Sequence, residues 1–212
     1  MKRTGNPNIN TKVYWNHVYG DESKRREYLS QGMCVNAIDN LNQSPTYRFV
    51  RTLEEIKDGD KFVDMGCGVG ALTTMVKKTY PSCEVWGTDI SDQAIKDNSK
   101  KNPNIKYLHQ YIGDQKELPD KYFDVVFSGE VLEHLDEPRE LFRDALRVLK
   151  KGGKFILTTP SGDAVQSSEH VTEFTHEDIE MLFISHGFSK PQFVYLPDME
   201  SMYVIYAIGE KL

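Results

Sequence analysis

Long apolar runs are missing from this sequence. The longest late stretch, Met202 to Ile208, falls far short of the roughly 18 residues that a membrane span requires. Residues 1–10 are polar and hold no apolar segment of the kind that directs export, so a cytoplasmic location is expected. Cysteine is scarce. Cys34, Cys67 and Cys83 are odd in number and lack a Cys-x-x-Cys spacing, which argues against a disulfide framework and against a cysteine-built zinc site. Positive charge is in deficit, with 26 Lys and Arg against 32 Asp and Glu and a net charge of −6. The only dense basic run is Lys24-Arg25-Arg26, so the overall field opposes a nucleic-acid partner. Gly-Lys-Ser and Gly-Lys-Thr do not occur, which excludes a P-loop gripping a triphosphate.

What is present suits one enzyme-sized unit of 212 residues, enough to bury a three-layer core. From Thr11 to Ile56 apolar residues recur at helical spacing, interrupted by Gly20, Gly32 and Pro45, and predict two to four short helices. After Asp58-Gly59-Asp60 short apolar runs alternate with amphipathic segments, the pattern of a parallel sheet covered by helices. Strands are predicted at 61–65, 84–88, 105–109, 123–128 and 154–159, with 191–195 and 202–208 as an antiparallel pair joined by Pro197-Asp198. One helix carries Leu141, Phe142, Ala145, Leu146 and Leu149 on its apolar face, begins at Asp136 and Pro138, and stops at Gly152-Gly153. Another starts at Thr175 with Asp178 as a capping-box pair and ends at Gly187. The expected division is a helical cap over 1–56 and an α/β core over 57–212.

Glycines cluster where the first of these strands ends, in Asp64-Met65-Gly66-Cys67-Gly68-Val69-Gly70. Glycine costs chain entropy, and close approach of the backbone to a ligand justifies it. A helix from Val69 onward points its free N–H groups over the loop. Gly66, Gly68 and Ala71 also satisfy a dinucleotide spacing, so the glycines alone leave an NAD-dependent oxidoreductase open. Asp89 follows at the end of the second strand, where a carboxylate can accept from ribose hydroxyls, and Gly113-Asp114 follows the third.

Taken in order, Asp64-x-Gly66-x-Gly68-x-Gly70, Asp89-Ile90, Gly113-Asp114, Phe123-Asp124-Val125-Val126 and Leu149-Lys150-Lys151-Gly152-Gly153 resemble the class I S-adenosylmethionine-dependent methyltransferases over about Asp60 to Phe188. The resemblance implies a Rossmann-like seven-stranded sheet, mostly parallel, with its last strand antiparallel. It implies that the glycine loop, with Cys67 contributing a small side chain, holds the methionine part. Asp89 would hold the ribose, Ile90 the adenine face, and Asp114 with Gln115 the adenine edge. A carboxylate at Asp64 suits an ammonium and sulfonium ligand and would repel a pyrophosphate, which disfavours NAD.

A second cluster, Glu130-Val131-Leu132-Glu133-His134, ends the fourth strand. On a helical turn Glu130, Glu133 and His134 share one face at i, i+3 and i+4. Two carboxylates and an imidazole together invite a divalent cation such as magnesium, manganese, iron or zinc, with His170 as a fourth ligand. The plainer alternative places Glu130 near the cofactor amino group and packs His134 under the acceptor pocket. The cluster resembles that of ubiquinone-biosynthesis O-methyltransferases and of small-RNA terminal 2′-O-methyltransferases. A hydroxyl acceptor must lose a proton, and His134 or His170 could take it, or a metal on Glu130, Glu133 and His134 could acidify it. These features tilt the expectation to O-methylation of a small molecule, with N-methylation, an RNA 2′-hydroxyl and cofactor binding without turnover as alternatives. Tyr14, Trp15 and Tyr19 are candidates for an aromatic lid, Trp15 against the cofactor. Neither the acceptor nor the oligomeric state is encoded in a pattern that residues alone decode.

Overall fold

The computed structural model describes residues 2–3, 11–21, 47–162, 170–195 and 204–212. The elements run β1 (Lys2–Arg3), α1 (Lys12–Gly20), α2 (Tyr47–Leu53), β2 (Lys61–Met65), α3 (Ala71–Thr79), β3 (Glu84–Asp89), α4 (Asp92–Lys101), β4 (Lys106–His109) and β5 (Phe123–Gly129). A 3-10 turn (Leu132–His134), α5 (Arg139–Val148), β6 (Leu149–Pro160), β7 (Thr172–Glu173), α6 (His176–Ser185), β8 (Gln192–Phe193) and β9 (Val204–Glu210) complete it. Seven strands form one sheet in the order β4-β3-β2-β5-β6-β9-β8. β2, β3, β4, β5 and β6 are parallel, and the final strand β9 runs antiparallel between β6 and β8. This is the seven-stranded, mostly parallel arrangement expected from the motifs. The turn placed at Pro197-Asp198 lies outside the described residues.

Strand pleating divides the core into two layers, because neighbouring residues face opposite sides of the sheet. Val63, Val126, Phe155 and Ala207 face α5 and α6, where Phe142 packs edge-on to Phe155 and Phe183. Phe62, Val125, Ile156 and Tyr206 face α2 and α3. Each phenylalanine buried this fully contributes roughly 1.5–3 kcal/mol over its exposed state. α2 belongs to this second layer: Phe49 packs 6.3 Å from Phe127, and the Thr52 hydroxyl bonds to Tyr206 Oη at 2.9 Å in the interior. α1 instead lies on α4, with Trp15, Val18 and Tyr19 packed around Ala94.

Two helix boundaries differ from the sequence expectation. α5 ends at Val148, and Leu149 already pairs with Phe123 as the first residue of β6, so Gly152-Gly153 falls inside the strand rather than stopping the helix. The stop comes from afar: Lys211 donates its ammonium to the Leu146 and Leu149 carbonyls at 2.6 and 2.8 Å, a cation on a helix C-terminus. α3 begins at Ala71 rather than Val69, because Gly70 sits at φ 72 in the left-handed region as its N-cap. The capping box at Thr175 forms with both reciprocal bonds, and Gly187 follows α6 at φ 85. A two-stranded antiparallel sheet, β1 with β7, was not anticipated.

Candidate active site

Where β2 ends, the chain turns through the glycine loop, and Gly66 and Cys67 donate their N–H groups to the Thr88 carbonyl at 2.8 and 2.9 Å. Gly66 lies at φ 86, and a Cβ there would stand 2.2 Å from Val131 Cγ2. Asn98 of α4 fixes the loop by donating to the Gly68 carbonyl at 2.8 Å. Gly66, Cys67 and Gly68 line a cavity of about 310 Å³ at the carboxyl ends of the parallel strands, the edge at which open α/β sheets place ligands. Gly70 is not among the lining residues, and a side chain there would meet the Tyr107 hydroxyl and Asn98.

Two carboxylates stand beside the loop. Asp64 is buried, lines the cavity, and accepts no side-chain hydrogen bond from a described residue. Burial, and secondarily the Asp89 charge, push its carboxyl well above the usual range. Asp89 accepts from the Gly68 N–H and the Ser91 N–H, both at 2.8 Å. Burial raises its pKa despite those bonds. A carboxylate has about four acceptor positions, so both oxygens keep capacity toward the cavity, which Asp89 and Ile90 line.

Past β4 the expected adenine edge divides. Asp114 turns to solvent and pairs with Lys116 at 2.7 Å, away from the cavity lining. The side chain expected at the base edge is thus half exposed and ion-paired with its neighbour in this structure. Gln115 does line the cavity, and both its amide atoms are buried without a hydrogen-bond partner among the described residues. Gln110, which no motif picked out, lines the same region with its carbonyl oxygen also unpartnered.

Beyond β5 the Glu-x-x-Glu-His segment is not one helical turn. Glu130 adopts φ 55, and only Leu132–His134 are helical, as a 3-10 turn. Glu130 therefore leaves the face of Glu133 and His134. It pairs at 2.8 Å with Arg48, a buried guanidinium from α2, and accepts from Thr158 Oγ1 at 3.2 Å. The metal-like group comprises Glu133, His134 and His170, whose ligand atoms all lie within 4.8 Å of one another, and Glu130 is outside it. Glu133 is buried and accepts from Thr159 Oγ1 at 3.0 Å, with His134 Nε2 at 3.7 Å. Burial, with the Glu130 charge second, pushes its carboxyl well above the usual range. Its carbonyl takes the Val171 N–H at 2.8 Å, which joins the turn to the segment just before β7 that carries His170. Of these residues, His134 and Glu130 line the cavity, and Glu133 and His170 are not among the lining residues. His176 and His186 serve elsewhere, one against Phe193 and the other on the Leu182 carbonyl.

Trp15 and Tyr19 of α1 line the cavity, and the Trp15 ring stands edge-on 5.3 Å from His134. α1 is fastened there by Asn16 Oδ1, which accepts from Ser91 Oγ at 2.8 Å, and by the Lys12–Asp92 ion pair. Arg48 was missed in the sequence, yet among the described residues it is the only lysine or arginine lining the cavity. Its signal is slight, a basic residue on a short amphipathic stretch.

Residues 63–157 match the family described as Methyltransferase domain. A malonyl-[acyl-carrier protein] O-methyltransferase of Hahella chejuensis is 33% identical over 99 residues, covering 46% of this chain and 35% of its own length. Phosphoethanolamine N-methyltransferase 3 of Arabidopsis thaliana is 32% identical over 128 residues, covering 56% and 26%. The aligned stretch spans from about a quarter to a little over half of the curated relatives' lengths. Among solved structures, an S-adenosylmethionine-dependent methyltransferase of Aquifex aeolicus superposes with a TM-score of 0.67 at 17% identity, over 82% of this chain and 97% of that one. At that identity the likeness speaks for the fold.

Proposed function

We propose that this chain, whose residues 63–157 match the methyltransferase-domain family, is a class I S-adenosylmethionine-dependent methyltransferase and that it methylates the hydroxyl of a small molecule. The observation that carries the reading is the polar lining of one cavity: the buried Asp64 carboxylate by the glycine loop, and past β4 the Gln110 Oε1 and both Gln115 amide atoms, which are buried without a hydrogen-bond partner among the described residues. Neighbouring strands lie about 4.8 Å apart, so the path from β4 to β5 along the sheet edge is roughly 14 Å, room for an extended nucleoside joined to an amino acid. A dinucleotide pyrophosphate would meet Asp64 and Asp89 as like charges.

On this reading Asp64 compensates the cationic end of the cofactor and Arg48 its carboxylate. Asp89 accepts from the ribose, Ile90 covers the base, and Gln110 with Gln115 satisfy its edge. When bound, the cofactor supplies an electrophilic methyl whose bond to sulfur breaks as the bond to the acceptor oxygen forms, leaving S-adenosylhomocysteine. His134 takes the acceptor's proton, and Glu133 stabilises the imidazolium that results. Trp15 and Tyr19 exclude water above. Much of the acceleration comes from holding the acceptor in line. The test is calorimetry with S-adenosylhomocysteine and NAD, followed by transfer of labelled methyl to a panel of hydroxyl and amine acceptors. Binding of NAD in place of S-adenosylhomocysteine refutes the cofactor; transfer to amines alone refutes the hydroxyl.

A second reading adds a divalent metal, favoured by the Glu133, His134 and His170 group. Its mixed oxygen and nitrogen donors suit manganese, iron or zinc better than magnesium. Exhaustive chelation would then abolish turnover, and full activity after chelation removes the metal. No described helix is long and apolar enough to cross a membrane.

A further inference from the structure

We propose that Asp144 and Arg147 of α5 are positioning residues that set the base selectivity of the cofactor cavity by holding the 110–118 loop in register. This rests on the S-adenosylmethionine reading above. α5 uses Leu141, Phe142, Ala145 and Val148 to pack against the sheet. Its residues 140, 144 and 147 fall on another stripe, at i, i+4 and i+7, and all three meet the loop. A Cβ on Gly113, which has φ 91, would lie against the Glu140 carboxylate. Asp144 Oδ2 accepts the Gly113 N–H at 2.6 Å. Arg147 donates through Nη2 to the Gln115 carbonyl at 2.5 Å and through Nη1 to the Leu118 carbonyl at 2.8 Å.

Asp144 is buried on a helix, which costs solvation unless its bonds matter. Here they fasten the backbone on both sides of Gln115. The loop has only an isolated bridge, Tyr111 with Asp114, for its own regular structure. Reading a base edge requires the reading group to be fixed within about 0.5 Å, and neither Gln amide atom at position 115 is anchored by a hydrogen bond of its own. The backbone clamp from α5 supplies the fixation that the side chain lacks.

The experiment compares calorimetric Kd values for S-adenosylhomocysteine and its N6-methyl analogue, which adds bulk at the base edge. Wild-type protein is expected to prefer the unmodified compound by at least about tenfold. Asp144→Ala and Arg147→Met should lower that ratio to within about twofold of unity, and Asp144→Asn, which keeps an acceptor for Gly113, should retain it. Should Asp144→Ala fail to fold, Arg147→Met decides, since that side chain is one-third exposed. Equal weakening of both ligands, or an unchanged ratio in folded variants, overturns the proposal and leaves a structural role. Wild-type protein that binds neither compound overturns the cofactor reading and this one with it.

Discussion

Replacing Asp64 with Asn should raise the stability of the ligand-free protein and weaken its affinity for S-adenosylhomocysteine. The carboxylate is buried, accepts no side-chain hydrogen bond from a described residue, and faces Asp89, so its pKa is raised well above the usual range. A folded-state pKa above the unfolded one favours the protonated form on folding. The stability that this proton confers is therefore full below the ordinary carboxylate pKa of about 3.9 and is lost as pH rises through the raised folded value. Asn has no proton to lose. Near pH 8 the variant should recover a part of the burial cost, on the order of 1–2 kcal/mol, or roughly 3–6 °C in Tm for a chain of this size. Near pH 4 the two proteins should melt together. Binding moves the other way, because a contact with a charged group contributes roughly 1.5–3 kcal/mol, which corresponds to a Kd weakened about ten- to a hundredfold. Differential scanning calorimetry at the two pH values and titration calorimetry at pH 8 measure both effects. A variant that melts lower at pH 8 while binding like wild type refutes the reasoning, since Asp64 would then be a structural acceptor.

The remaining perturbations separate packing, charge and chemistry. Arg48→Met leaves the Glu130 carboxylate buried without its guanidinium and should cost about 3 kcal/mol in urea denaturation, with much of it restored in the double variant carrying Glu130→Gln. Gly66→Ala combines φ 86 with a 2.2 Å approach to Val131 Cγ2 and should lose at least about 2 kcal/mol; a variant as stable as wild type would show that the loop relaxes. His134→Ala should lower turnover by about 10²–10⁴ with S-adenosylhomocysteine affinity within a few-fold, and equal losses in both would make it a packing residue.

Strand positions were legible because a buried parallel sheet needs continuous apolar runs, and 62–63, 125–126 and 155–156 each supply one residue to either layer. The boundary at Leu149 was not. An apolar residue one step past a helix fits both the helical stripe and the next strand, and the ammonium that decides between them belongs to Lys211, 62 residues away. The helical spacing of Glu130, Glu133 and His134 misled for a related reason. Spacing assigns a shared face only where the backbone is helical, and Glu130 at φ 55 is not. A left-handed conformation at a non-glycine residue costs on the order of 1–3 kcal/mol and persists where surrounding contacts enforce it. Here the Glu130 N–H is held by the Thr158 carbonyl at 2.9 Å and its carboxylate by Arg48.

The stretch after β4 shows how a motif and its geometry can part. Asp114 and Gln115 are adjacent, and residue type favours Asp114, because a carboxylate accepts from an amino group more strongly than an amide does. Direction differs between the two. The turn at Gly113 sends Asp114 to Lys116 and Gln115 into the interior, and that turn is set by Asp144 and Arg147, which approach from a helix some 30 residues further along the chain. A strand end points its last side chains predictably, so Asp64 and Asp89 could be placed from pattern alone. A loop clamped from another layer has no such rule, and its contacts follow only from the packing of α5 against it.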